Sequence, residues 1–242
     1  MLTSRDQEPE LMDDFSIGGE ELREALRHLR TLNRIFGASG PVLSGVRNLW
    51  TTAGRPSCLT VLDVGAGSGD TNQQLLRWAR RERIRLRLVL MDKTEEALKE
   101  ARALYADDPS VEITQGDLFL LPEKAADIVT ASQLLHHFGT DELTHAVQRM
   151  SAASRIGIVI SDIHRHPVAW ATVWLMTRLL TRNRYIRHDG PLSVAKGFQA
   201  GDWARLQEET GIPLDVRWKA MFRYVVTAQS NDGERDGRAQ RF

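Results

Sequence analysis

The chain has 242 residues, 42% of them hydrophobic and 26% charged, which is ordinary usage for a globular protein able to bury one large core. Its 32 basic residues balance 32 acidic ones, which argues against a global electrostatic footprint for nucleic acid. The single cysteine, Cys58, excludes an intrachain disulfide and a cysteine-based zinc cluster, and a reducing cytoplasm is the default compartment.

Residues 1–14 are acidic, carry no apolar core like that of a signal peptide, and read as a flexible tail. Leu22, Leu26, Leu29 and Leu32 then recur at three and four residues, predicting an amphipathic helix from Glu20 to Ile35 within a helical segment, 15–50. No apolar stretch of 18 residues occurs anywhere, so no membrane span is expected.

The core, 51–229, opens on Leu59-Thr-Val-Leu-Asp-Val-Gly-Ala-Gly-Ser-Gly-Asp70, an apolar strand ending in an acid and followed by three alternating glycines and a helix-like segment. Glycines there let the backbone turn sharply and come close to a ligand. A dinucleotide fingerprint puts its third glycine five residues after the first, but that position is Asp70, whose carboxylate would repel a pyrophosphate. No Gly-Lys-Ser/Thr follows, so a cofactor without phosphates fits better.

Strand and helix signals then alternate: helix 70–82, strand 86–91, helix 94–105, strand 111–115, strand 126–131, helix 140–152 and strand 155–161. This spacing predicts a doubly wound, mostly parallel sheet with helices on both faces and a ligand site outside the carboxyl ends of the strands. Asp63, Asp92 and Asp117 each end or follow an apolar run, at intervals of 29 and 25 residues. Strands near 212–218 and 220–228 are close enough to pair as a hairpin, with Gly201-Asp202 capping the helix before them, and 230–242 reads as a second flexible tail.

Asp63-Val-Gly-Ala-Gly-Ser-Gly69 resembles motif I of the class I S-adenosylmethionine-dependent methyltransferases, and Asp127 to Phe138 is similar to the fourth strand and following loop of the quinone-biosynthesis and small-molecule branch. The resemblance implies a Rossmann-like seven-stranded sheet whose last strand is antiparallel. It implies S-adenosylmethionine as cofactor, with Asp63, Gly65, Ala66, Gly67 and Gly69 around its methionine end, Asp92 and Lys93 at the ribose, Asp117 and Leu118 at the adenine, and Ser132 at the fourth strand's end. It also implies that the N-terminal helices cover the cofactor as a lid; the alternative is a helix packed on the sheet.

Between the fifth strand and the last helix lies an insertion, 162–200, where substrate specificity is expected. Its apolar run from Pro167 to Leu180 puts Trp170 and Trp174 on one helical face as a substrate wall, or as core. Arg178, Arg182, Arg184, Arg187 and Lys196 form a basic run that can steer an anionic acceptor or touch an anionic membrane surface, or serve as a solvated face.

A methyl transfer to a phenol, enol or quinol needs a base near neutral pH, for which histidine is suited. His136 and His137 follow the fourth strand, His164 follows the fifth, and His188 lies in the insertion. The first three are the candidate bases and His188 a substrate contact. Asp162-x-His164-x-His166 has spacing for a metal, yet Asp162 also matches an acid that commonly ends this family's fifth strand, so no metal is expected. Ser132-Gln-Leu-Leu135 lacks the Asn/Asp-Pro-Pro-aromatic motif that methyltransferases of nucleobase and amide nitrogens carry, which leaves oxygen and carbon acceptors.

The sequence is therefore read as a methyltransferase, monomeric or homodimeric, acting on a small apolar aromatic or polyketide-like acceptor in quinone or secondary metabolism. Two alternatives stand beside it: a catalytically silent S-adenosylmethionine-binding partner module, and a nicotinamide-dependent oxidoreductase, which Asp70 and Asp117 oppose.

Overall fold

The computed structural model describes residues 2–13, 24 and 39–230. Seven strands form one sheet: β1 Cys58–Val64, β2 Arg85–Asp92, β3 Val111–Gln115, β4 Ala126–Ser132, β5 Ser154–Ile163, β6 Asp215–Lys219 and β7 Arg223–Gln229, in the order β3-β2-β1-β4-β5-β7-β6. β1 to β5 pair in parallel, and β7 runs antiparallel to both β5 and β6. The expected hairpin forms, with each strand starting three residues and ending one residue later than the sequence suggests, because Ala220, Met221 and Phe222 make the turn.

β1 alternates across the sheet: Leu59 and Val61 join one core, Leu62 and Val64 the other. Burial on both faces is what a central parallel strand requires, hence its near-continuous apolar run. One face is covered by α1 (Ser39–Thr52), α2 (Gln73–Arg81) and α3 (Glu95–Leu104), the other by α4 (Thr140–Ala153) and α7 (Ala200–Thr210). α1 lies so close to the sheet that a Cβ on Gly45 would stand 2.4 Å from Val159 Cγ1. Residues 39–50 of the expected lid segment thus pack on a sheet face, while the amphipathic stretch 20–35, apart from Glu24, and residues 231–242 lie outside the described residues. The insertion after β5 folds as a pair of helices in contact, α5 (Pro167–Leu180) and α6 (Arg184–Lys196). No helix among the described residues is long and apolar enough to cross a membrane.

The N-terminal segment differs from the loose tail that its composition predicts. Arg5 donates to the carbonyls of Lys196, His136 and Phe138 at 2.9–3.0 Å and lies over the Phe198 ring. Further along, the Leu11 and Met12 amides donate to the two oxygens of Asp189 on α6. These partners are more than a hundred residues distant, beyond the reach of any local composition argument. Residues 2–13 are a strap across the end of the sheet.

Candidate active site

Strand order reverses between β1 and β4, and the carboxyl ends of the strands there open into a cavity of about 810 Å³. Such switch points are where doubly wound sheets hold ligands.

At one end of the cavity stands the glycine turn. Gly65 has φ +62° and a Cβ on it would meet Leu134 Cδ1 at 2.6 Å, so only glycine fits. Gly67, at φ +56°, donates its amide to Asp92 Oδ2 at 2.9 Å. Thus the turn after β1 and the acid ending β2 are joined directly. Asp92 Oδ1 takes the Thr94 amide and hydroxyl, which leaves one of four lone pairs for a ligand hydroxyl. Asp63 is buried and accepts from Thr130 Oγ1 and Asn72 Nδ2, each at 2.6 Å. Burial pushes its carboxyl up to about 6, against those two hydrogen bonds.

Asp117 accepts from the Phe119 amide and stands 3.1 Å from Lys93 Nζ. Partial burial opposes ionisation there, but the amide and Lys93 prevail and hold Asp117 below the usual carboxylate range. Ser132 lines the same cavity, and its buried Oγ has no hydrogen-bond partner among the described residues. Ala66 and Leu118 line the cavity; Gly69 sits behind it, at φ +70°, accepting from Tyr105 Oη.

At the other end His136 and Asp162 meet. Asp162 ends β5 fully buried, takes the His136 Nδ1 at 2.7 Å, and also accepts the amides of Leu135, His136 and Ile163. Burial alone would raise its pKa, but the charge and hydrogen bond of His136 hold it below the ordinary value. An acidic carboxylate at Nδ1 fixes the neutral imidazole as the Nδ1–H tautomer, which leaves Nε2 as the proton acceptor. His137 stacks on His136 with ring centroids 4.3 Å apart and also lines the cavity. Glu10 of the strap, 6% exposed, has Oε1 3.7 Å from His136 Nε2, 3.9 Å from His137 Nδ1 and 3.7 Å from Lys196 Nζ, and accepts from Ser193 Oγ.

Four expected residues lie away from the cavity. His164 accepts from Trp218 Nε1 at 3.2 Å and packs on Tyr224; burial, then His166 and Arg165, lower its pKa. His188 is partly exposed and binds Asp189 at 2.8 Å, so its neighbour rather than the histidine lines the cavity. On α5 the cavity is lined by Ala169, Thr172, Val173, Met176 and Thr177. Trp170 and Trp174 do share a face with each other, but it lies about 100° round the helix from the cavity lining, and Trp174 is 38% exposed beneath Arg178.

Sequence reasoning missed Glu10, Asp162 as a partner for His136, Asp189 and Arg223. Only the pairing of β4 with β5, which sets Ser132 beside Ser161, brings Asp162 to the loop after β4. That neighbourhood was available in principle from strand order.

Residues 61–157 match the methyltransferase domain family. No curated protein sequence is significantly similar to the chain. Among solved structures the chain is similar to a SAM-dependent methyltransferase from Aquifex aeolicus, at 16% identity over 86% of this chain and 97% of that one, TM-score 0.59. It is also similar to human N-acetylserotonin methyltransferase in complex with SAM, at 14% identity over 93% and 63%, TM-score 0.59. A third is the CurJ carbon methyltransferase, at 16% identity over 72% and 49%, TM-score 0.54, so the chain spans about half that protein's length. At these identities the likeness shows the fold, which is the Rossmann-like methyltransferase fold.

Proposed function

We propose that the protein transfers a methyl group from S-adenosylmethionine to an oxygen or activated carbon of a small, largely apolar acceptor, such as a phenol, quinol or polyketide-type enol. The matched domain and the fold support a methyltransferase and S-adenosylmethionine as its cofactor. The chemistry of the donor set fits that cofactor: carboxylates at three strand ends suit hydroxyls, an ammonium and an amine, and would oppose phosphates. Asp63 and Gly65, with Ala66, Gly67 and Gly69 shaping the turn, would hold the methionine end. Asp92 would take the ribose, with Lys93 beside it, Asp117 and Leu118 the adenine, and Ser132 Oγ a polar atom between the two ends.

The observation that carries the reading is the His136–Asp162 pair, whose histidine lines the same cavity. The cofactor's sulfonium already activates the methyl group, so the protein has to align the acceptor, exclude water and receive a proton. His136 Nε2 would take the proton from the acceptor hydroxyl or acidic carbon. Asp162 holds the ring's orientation and stabilises the imidazolium that results. The strap and α6 close this end against solvent: Glu10, Asp189 and Lys196 are all at most 6% exposed. A small-molecule acceptor agrees with a neighbour named as N-acetylserotonin methyltransferase, and a carbon acceptor with one named as a carbon methyltransferase.

The test is release of S-adenosylhomocysteine on a mixed panel of phenols, hydroquinones and enols, with Asp92→Ala and His136→Gln alongside. Turnover lost in both, with cofactor affinity weakened at least about tenfold only in Asp92→Ala, supports the assignment. Cofactor binding unchanged in Asp92→Ala would sink it.

A further inference from the structure

Arg223 begins β7, beside Ile163 of β5, and its side chain lines the acceptor end of the cavity. It is 6% exposed, and neither Nε nor Nη1 has a hydrogen-bond partner among the described residues. Three other basic side chains of this part of the fold have hydrogen-bond or ionic partners. Arg5 is spent on three carbonyls, Lys196 faces Glu10, and Arg165 is held by Asp202 at 3.1 Å and by the Gly197 carbonyl. Burial lowers the Arg223 guanidinium to about 10, partly opposed by Asp162, so it stays charged at neutral pH. A buried guanidinium with N–H groups left unbonded is costly, on the order of several kcal/mol, and Asp162, which makes no hydrogen bond to it, relieves only part of that; a bound anion would relieve the rest.

We infer that Arg223 is an anion-binding residue and that the acceptor carries a single carboxylate, held by Arg223 while its reacting atom lies toward His136. The unpaired N–H groups of the guanidinium suit the charge-assisted hydrogen bonds that a carboxylate accepts. A phosphate dianion would meet the carboxylates of Glu10 and Asp189, which line the same end. Met12, Val173, Met176, Ile186 and Phe222 give that end most of its apolar surface. Asp162 touches His136 and is within electrostatic reach of Arg223, which places the two groups in one neighbourhood. The anion site stands on Arg223 itself; describing its occupant as the methyl acceptor rests on the function proposed above.

The experiment is a calorimetric titration of the full chain with 4-hydroxybenzoate and 6-hydroxy-2-naphthoate, each against its neutral amide, with and without S-adenosylhomocysteine. The acids are expected to bind at least about tenfold more tightly than the amides, a preference that Arg223→Gln abolishes and Arg223→Lys retains in part. Affinity for S-adenosylhomocysteine should stay within about twofold in both variants. Equal affinities of acid and amide in the unmodified protein, including no measurable binding of either, overturn the proposal even if Arg223→Gln fails to fold. So does a preference that survives in Arg223→Gln. If instead Arg223→Gln weakens S-adenosylhomocysteine about tenfold, the cofactor's own carboxylate is the occupant and the acceptor assignment falls. Failure of S-adenosylhomocysteine to bind the unmodified protein would refute the methyltransferase reading separately, while acid and amide still report on Arg223.

Discussion

His136 Nδ1 lies 2.7 Å from Asp162 Oδ1, and the two side chains, one from the turn after β4 and the other from the end of the neighbouring strand β5, are 3% and 0% exposed. The same carboxylate accepts the Leu135 and His136 amides, so it builds the turn that carries the histidine as well as orienting its ring. Position and tautomer of the proposed base are therefore set by one group.

Replacing His136 by Gln is expected to lower turnover by about 10²–10⁴-fold, the usual worth of a general base. Asp162→Asn should lower it in the same direction and shift the lower limb of the pH–rate profile. Affinity for S-adenosylhomocysteine, read by titration, should hardly move in either. A loss of cofactor affinity equal to the loss of turnover would refute the assignment.

Asp63 gives a pH signature in the ligand-free protein. Its folded pKa is raised to about 6 by burial, so the folded state binds this proton more tightly than the unfolded one. Stability from that protonation is full below the unfolded value and is lost as pH rises through about 6. Between about pH 4 and 6 the stability of the protein should fall by on the order of 2–3 kcal/mol relative to Asp63→Asn. Parallel denaturation curves of the two proteins across that range would contradict it.

Gly65→Ala tests the close approach in the glycine turn. The new methyl group would need Leu134 to move and would strain a residue at φ +62°. We expect a loss of about 1–3 kcal/mol of stability and weaker binding of S-adenosylhomocysteine. Thermal melting and titration measure the two effects separately.

The strap is tested at Arg5. Arg5→Ala removes donors from three carbonyls at the end of the sheet and an aromatic contact with Phe198. About 1–3 kcal/mol should be lost, since those carbonyls are left without their partner. A higher KM for acceptor than for cofactor is expected, because Glu10 and Met12 line the acceptor end. If deleting residues 2–13 left both stability and KM unchanged, the strap would have no part in the site.

Much of this molecule is determined locally. The near-continuous apolar run of β1, the glycines that follow it, and the acids ending β1 and β2 or following β3 are properties of short segments, and the strand-and-helix alternation they punctuate admits few topologies. The cofactor end of the cavity was legible for that reason: its groups lie where a parallel sheet must put its strand ends. The acceptor end was decided by tertiary structure. Whether Ala169 or Trp170 faces the cavity depends on the rotation of α5, which an apolar helix does not encode in its own pattern. Asp162 becomes the partner of His136 only through the β4–β5 register, and Glu10 reaches that pair only because Arg5 and Asp189 pin the strap across the sheet. Arg223 is an ordinary strand residue in the sequence; burial without a partner is a relation among elements, and only folding creates it.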